Sequence, residues 1–273
     1  MSSRRVGVID DMNELLADKN AVIYGAGGSL GGAVARTFAH EGATVFLAGR
    51  TRETLERVAA DVAAAGGRAE VAVVDALDER AVDEHADAVA AQAGGIDISF
   101  NLVTRGDDQG TPIAEMTHER YLHAITAGCS TAFLTARAAA RHMAPRGSGV
   151  ILHLTSGSSR GTAPGMGNTG PTDAATEAMY RYLAAELGPR GIRVAGIHTA
   201  AVRETLTAEK IAAVSGAAAP DVEAIIEMIA AQTMLRRAPG LQQIADTACF
   251  LASDRAGAIT SGIVNATCGL VAG

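Results

Sequence analysis

Along the whole chain, short apolar runs rich in β-branched residues alternate with alanine-rich stretches whose apolar positions recur every 3.6 residues. The β-like runs are 21–24, 44–48, 70–74, 96–103, 149–155, 193–198 and 262–265. Between them lie the helical patterns 30–40, 52–64, 79–91, 118–143, 171–187 and 241–252. Near-continuous apolar strands separated by helices require a parallel sheet with both faces covered. The rhythm therefore predicts an α/β fold, a doubly wound sheet of seven mostly parallel strands with helices on both faces, whose ligands bind at the carboxyl ends of the strands. No Pro/Ser-rich linker or charge block divides the 273 residues, so 1–273 reads as a single domain. Residues 1–19 form an N-terminal extension. Residues 203–239 break the rhythm around 216–220 and suit an inserted substrate lid.

Composition narrows the partners. The net charge is −7, and acids and arginines are interspersed, which leaves no basic stripe for nucleic acid and no polybasic membrane anchor. A small-molecule substrate is expected. The first nineteen residues lack the long apolar core of a signal peptide or transmembrane helix, so a cytoplasmic location follows. Cys129, Cys249 and Cys268 are odd in number and widely spaced, which suggests neither a disulfide framework nor a metal site. With 3% aromatics and no Trp, the core must come from Ala, Val, Ile and Leu.

The first strand runs straight into Gly25-Ala26-Gly27-Gly28-Ser29-Leu30-Gly31, which opens the first helix. Backbone amides and the positive helix end can there face a pyrophosphate. A G-x-G-x-x-G pattern fails because its third glycine falls on Leu30. The spacing instead resembles the G-x-x-x-G-x-G turn of the short-chain dehydrogenase/reductase family, with Ser29 at the middle glycine. The resemblance runs from Ala21 to Gly269. Asp75, in Val73-Val74-Asp75-Ala76, matches the family's adenine-contacting aspartate. Asn101 is what survives of its N-N-A-G motif, and 184–194 and 250–254 are similar throughout.

This resemblance implies a Rossmann-type domain and a nicotinamide dinucleotide. Gly25, Gly27, Gly28, Ser29, Leu30 and Gly31 would hold its phosphates, and Asp75, Ala76, Asn101 and Val103 would line it. Val202 and Thr205 keep the spacing of the carboxamide contacts. It also implies a homodimer or homotetramer built through the 118–143 and 171–187 helices. NAD-selective relatives place an acid at the end of the second strand, whereas this chain has Gly49 followed by Arg50, Thr51 and Arg52. An acid would repel a 2′-phosphate and an arginine can pair with it, so NADP(H) is the expected cofactor. The two arginines also read as solvated charges at a helix start.

The family's Tyr-x-x-x-Lys pair supplies a proton donor and a cation, a serine thirteen residues earlier holds the carbonyl, and an asparagine completes the relay. Placing the lysine at Asp173 puts Thr169 at the tyrosine, Ser156 at the serine and Gly128 at the asparagine. The chain's lysines are Lys19 and Lys210, so no shift of alignment restores the pair. An aliphatic hydroxyl cannot replace a phenol as acid, and losing a positioned general acid forfeits about 10² to 10⁴ in rate. At an assumed ~6 Å and dielectric of ~20 each unit charge is worth about 3 kcal/mol, so reversing lysine to Asp173 approaches roughly 6 kcal/mol. That sign favours an oxidised nicotinamide and a cationic substrate.

Asp173 also reads as part of an i, i+4 ladder with Glu177 and Arg181 near the helix N-terminus, where an acid suits the helix dipole, and Thr169 as a helix cap ahead of Pro171. Ser156 is the expected substrate hydrogen-bonding group. His198 reads either as a proton donor or as a satisfied strand-end histidine, while Arg105, Asp107 and Asp108 line the pocket or form a solvated loop. The expected function is NADP(H)-dependent hydride transfer to an activated small molecule: an iminium, a conjugated C=C bond or a reactive carbonyl. The alternatives are a non-redox isomerase, lyase or cyclase using Asp173 or His198 as base, and a catalytically inactive cofactor-binding partner.

Overall fold

A computed structural model describes residues 14–161, 163–209, 211 and 221–272. Its strands are β1 (Asn20–Tyr24), β2 (Thr44–Gly49), β3 (Arg68–Val73), β4 (Ile98–Asn101), β5 (Gly149–Ser156), β6 (Ile192–Thr199) and β7 (Ile263–Ala266). They form one sheet in the order β3-β2-β1-β4-β5-β6-β7, and every neighbouring pair is parallel. The helices are α1 (Ser29–His40), α2 (Arg52–Ala64), α3 (Glu79–Ala93), α4 (His118–Arg146), α5 (Thr169–Leu187), α6 (Val222–Gln232) and α7 (Leu241–Ala252).

Side chains alternate across each strand, so the sheet carries two cores. Ala21 and Ile23 of β1 join Phe38, Leu55, Phe100, Leu152 and Leu251 beneath α1, α2 and α7. Val22 and Tyr24 join Phe46, Val82, Ile151 and Tyr180 beneath α3, α4 and α5. The order in which the chain adds strands reverses between β1 and β4, the place where doubly wound sheets open a crevice at the strands' carboxyl ends. Register brings Tyr24 level with Ala48 and Asn101, Asn101 level with His153, and Ser156 level with Thr199. The residues that follow these positions therefore share one rim.

Helix termini follow local chemistry. Asp78 accepts the Ala81 amide at 3.0 Å to open α3, and Thr117 accepts the Arg120 amide at 3.3 Å to open α4. Gly94 and Gly147, at φ +77° and +69°, close the same two helices in the left-handed region. Helix α5 starts two residues earlier than the pattern suggested. Pro171 sits in its first turn, where a missing N–H costs no helical bond. Strand β4 is shorter than 96–103, although the Asp97 and Leu102 amides still bond to β1 carbonyls. Of the N-terminal extension, residues 1–13 lie outside the described residues. Leu16 is fully buried and its amide bonds to Glu41. Within 203–239 the chain makes a 3₁₀ turn at Arg203–Thr205 and helix α6, while 212–220 lie outside the described residues. Among the described residues no helix is long and apolar enough to cross a membrane.

Candidate active site

The turn after β1 is shaped by what glycine omits. Gly25 has φ +78°, and a Cβ on it would stand 2.5 Å from the Leu102 carbonyl oxygen. A Cβ on Gly31 would stand 2.3 Å from the Gly25 oxygen and 2.7 Å from Ala26 Cα, and one on Gly27 2.3 Å from Thr54 Oγ1. The loop thus packs flat against β4 and α2. The Gly25 and Ala26 amides are tied to the Ala48 carbonyl at 2.8 and 3.2 Å. Gly28 caps α1, so the amides of Ser29, Leu30 and Gly31 have no acceptor within the helix and face the rim. Three free amides at a helix N-terminus, with exposed Gly28 and Ser29 beside them, fit a phosphate.

The remaining residues expected around a dinucleotide surround this turn. Arg50 is exposed just past β2 and makes no ion pair among the described residues; Thr51 caps α2. Asp75 is exposed past β3, with one carboxylate oxygen accepting the Leu77 amide at 3.0 Å, and Ala76 is buried beside it. Asn101 is tied down on both sides: its Oδ1 accepts the Val103 amide at 3.1 Å and its Nδ2 donates to Thr131 at 3.3 Å. Asn101 thereby holds the chain as it leaves β4. Val202 is buried, and its carbonyl accepts the Thr205 hydroxyl at 2.8 Å.

At the end of β5, Ser156 Oγ donates to Asp173 Oδ2 at 2.5 Å, and the Ser156 amide donates to the same oxygen at 3.1 Å. The other carboxylate oxygen lies 2.6 Å from Arg105 Nη1, an ion pair rather than an aligned hydrogen bond. Arg105 Nε in turn bonds Asp107 at 2.7 Å. Asp173 is 0% exposed and Arg105 nearly buried, so neither charge is held by solvent. Burial raises the Asp173 pKa above the ordinary aspartate value, opposed by Arg105 and by the two Ser156 bonds. Burial works against the Arg105 cation, but Asp173 and Asp107 outweigh it and raise its pKa.

This arrangement corrects three expectations. Asp173 is not an exposed ladder residue with Glu177 and Arg181, because it points into the protein. Nor does it present an unbalanced negative charge, since Arg105 compensates it and the estimated 6 kcal/mol field largely cancels. Arg105, Asp107 and Asp108 are not freely solvated charges: Arg105 bonds Asp107, Asp108 pairs with Arg120 at 2.5 Å, and the Asp108 amide donates to Asn168 at 2.9 Å.

Thr169 is not the cap of α5 either. Asn168 precedes the helix, and Thr169 is its first residue, 2% exposed, with an Oγ1 that has no hydrogen-bond partner among the described residues. Asn168 escaped the sequence reading. It is fully buried, and its amide group joins the loop after β4 to the first turn of α4 through the Arg120 carbonyl at 3.0 Å. Gly128, in mid-helix, was the available signal for close approach. A Cβ there would stand 2.5 Å from Thr172 Cγ2 and 3.1 Å from Arg105 Cδ.

Behind this layer lies a second polar group. Glu177, read from the sequence only as a rung of the ladder, accepts from Thr155 Oγ1 at 2.9 Å and from His198 Nε2 at 2.8 Å. Burial would raise the Glu177 pKa, yet the hydrogen bonds from His198 and Thr155 bring it below the ordinary value. His198 is 2% exposed and its Nε2 is held by Glu177, the geometry of the satisfied strand-end histidine among its two readings. His153 stacks on Tyr180 with ring centroids 4.1 Å apart, and burial lowers its pKa to about 3, which keeps it neutral.

Comparison with known proteins follows this geometry. The family described as Enoyl-(Acyl carrier protein) reductase matches residues 25–271. The chain belongs to the short-chain dehydrogenase/reductase family. This short-chain dehydrogenase/reductase is 30% identical over 182 residues to gluconate 5-dehydrogenase of Gluconobacter oxydans, covering 67% of this chain and 70% of the relative. It is 28% identical to 7alpha-hydroxysteroid dehydrogenase of Escherichia coli, covering 94% and 96%. A structure of 7alpha-hydroxysteroid dehydrogenase with NADH and 7-oxo glycochenodeoxycholic acid superposes with a TM-score of 0.82 at 28% identity, over 94% of this chain and 96% of that one. NAD+-bound xylitol dehydrogenase gives 0.84 at 26% identity, over 93% and 99%. The family is one of oxidoreductases acting on small molecules.

Proposed function

We propose that this short-chain dehydrogenase/reductase is an NADP(H)-dependent oxidoreductase that transfers hydride to or from an activated small molecule and lacks an acidic side chain to complete the reaction. The observation that carries it is the glycine turn, whose Ser29, Leu30 and Gly31 amides have no acceptor within the helix while Gly25 and Gly31 leave no room for a Cβ against the backbone. Arg50 supports the 2′-phosphate preference, being exposed beside the start of α2 and without an ion pair among the described residues. Asp75 and Ala76 would flank the adenine, and Val202 and Thr205 the carboxamide.

When bound, the cofactor supplies hydride exchange at its nicotinamide. The chain's own residues supply positioning. Thr169 and Asp173 are read as standing where relatives hold tyrosine and lysine. Arg105 remains protonated throughout the physiological range and cannot serve as acid. Thr169 is buried, and the Ser156 proton is committed to Asp173. A substrate that needs no enzymatic proton suits such a site. In an iminium, hydride addition at carbon moves the C=N π pair onto nitrogen and yields a neutral amine. A conjugated C=C bond can take its proton from water.

The isomerase, lyase and cyclase readings need a free base, and both candidates, Asp173 and His198, are enclosed and engaged. A cofactor-binding partner without turnover is the second reading, favoured by the closed Ser156–Asp173–Arg105 network. Exposed Phe133 on α4 and Tyr182 on α5 support assembly through those helices, which light scattering tests by showing a dimer or tetramer. Titration with NADPH and NADH, followed by nicotinamide fluorescence, tests the cofactor. Tighter NADPH binding with turnover of iminium or enone substrates supports the enzyme, binding without turnover of any substrate supports the partner reading, and no binding defeats both.

A further inference from the structure

We infer that Ser156 presents a lone pair rather than a proton to the ligand beside it, so the site selects a substrate bearing an N–H or O–H donor over one offering a bare carbonyl oxygen. This deepens the function proposed above and rests on it. A serine hydroxyl has one proton and two lone pairs. The proton goes to Asp173 Oδ2 at 2.5 Å, and the Ser158 amide occupies one lone pair at 3.2 Å. One lone pair remains, on a residue that is partly exposed, whereas Asp173 behind it has no exposed surface.

The direction of the Ser156 proton is set from behind. Arg105, 2.6 Å from Asp173 Oδ1, favours the ionised carboxylate, and an ionised carboxylate only accepts. Turning the hydroxyl outward would leave two oxygen lone pairs facing each other at 2.5 Å in a buried setting. Arg105 gains entry because Gly128 has no side chain, since a Cβ there would meet Arg105 Cδ at 3.1 Å. Arg105 and Asp173 are thus positioning residues for Ser156. The glycine, the arginine and the aspartate, which lie on α4, the loop after β4 and α5, act together on one hydroxyl proton. A carbonyl oxygen arriving at Ser156 meets an acceptor, while an amine, protonated imine or alcohol meets its complement.

The test uses the full chain and a matched set of ligands, 2-aminodecalin, 2-decalol and 2-decalone, by titration calorimetry with and without saturating NADP+. The amine, the alcohol or both should bind at least about tenfold tighter than the ketone, and their order tells nitrogen from oxygen substrates. In Asp173→Asn the side-chain amide can donate to Ser156 Oγ and free its hydroxyl, so the preference should fall to within about threefold. Ser156→Ala, which leaves Asp173 and Arg105 in place, should abolish it as well and guards against misfolding of the first variant. Ketone binding equal to or tighter than both donors, no binding by either donor, or a preference unchanged in Ser156→Ala overturns the inference. Failure of NADP+ to bind while the donor preference persists defeats the proposed function and leaves this inference standing.

Discussion

Removing the Arg105 charge should turn Asp173 from a compensated into an uncompensated buried carboxylate, and the size of the effect follows from the geometry. Arg105→Met keeps much of the apolar stem. With Nη1 2.6 Å from Asp173 Oδ1, the attraction at an effective dielectric of ~20 is about 6 kcal/mol. Desolvation of both groups offsets part of it, so breaking the pair should cost about 3–5 kcal/mol, in line with other buried pairs that lose one partner. Asp173→Asn should cost less, and adding it to Arg105→Met should recover much of the loss.

The pH dependence has a definite sign. Burial raises the folded-state pKa of Asp173, and losing Arg105 raises it further. A carboxyl with a raised folded pKa holds its proton in the folded state after the unfolded chain has released it. Its contribution to stability is complete below the unfolded value of about 3.9 and is lost as pH rises through the folded pKa. The Arg105→Met deficit should therefore be greatest near neutrality and shrink as pH falls toward that window. Urea unfolding of the wild type, both single variants and the double variant measures this. A coupling of roughly 3 kcal/mol near pH 7.5 is expected. Coupling below about 0.5 kcal/mol, or a deficit that grows on acidification, would refute the ion-pair argument.

Gly31→Ala should lose roughly 1–2 kcal/mol despite its helix propensity, because the new Cβ meets backbone at 2.3 and 2.7 Å, and should weaken dinucleotide binding more than about tenfold by calorimetry. Unchanged affinity would show that the turn does not carry the ligand. Arg50→Gln should lower NADPH affinity about tenfold or more and leave NADH affinity within about twofold, whereas equal losses would remove the 2′-phosphate argument. His153 has a folded pKa near 3 against an unfolded value of about 6.5, so the unfolded state binds the extra proton between these values and stability falls as pH drops through them. His153→Phe should flatten that acid limb by roughly 3 kcal/mol at pH 4, and an equally steep limb would mean that the ring is not buried neutral.

The order of strands and helices, the glycine turn after β1 and the place of Ser156 at the end of β5 were legible from residues 20–270 because their signals are local. Apolar periodicity declares an element within a dozen residues. A strand running into Gly25 and Gly31 declares a close backbone approach without knowledge of what is approached. The same local reading could group Asp173 with Glu177 and Arg181 in one ladder, since spacing along a helix says which residues share a face but not which face is covered. Only the packing of α4 and α5 buried that face, and only the loop after β4, admitted by Gly128, brought Arg105 to Asp173. His198 and Glu177 met in the same way, across the gap between β6 and α5. The sequence by itself determined which groups would stand at the rim of the sheet. Their charge balance, and the direction in which Ser156 sends its proton, were decided by tertiary structure, because burial and ion pairing depend on segments that the chain brings together only when it folds.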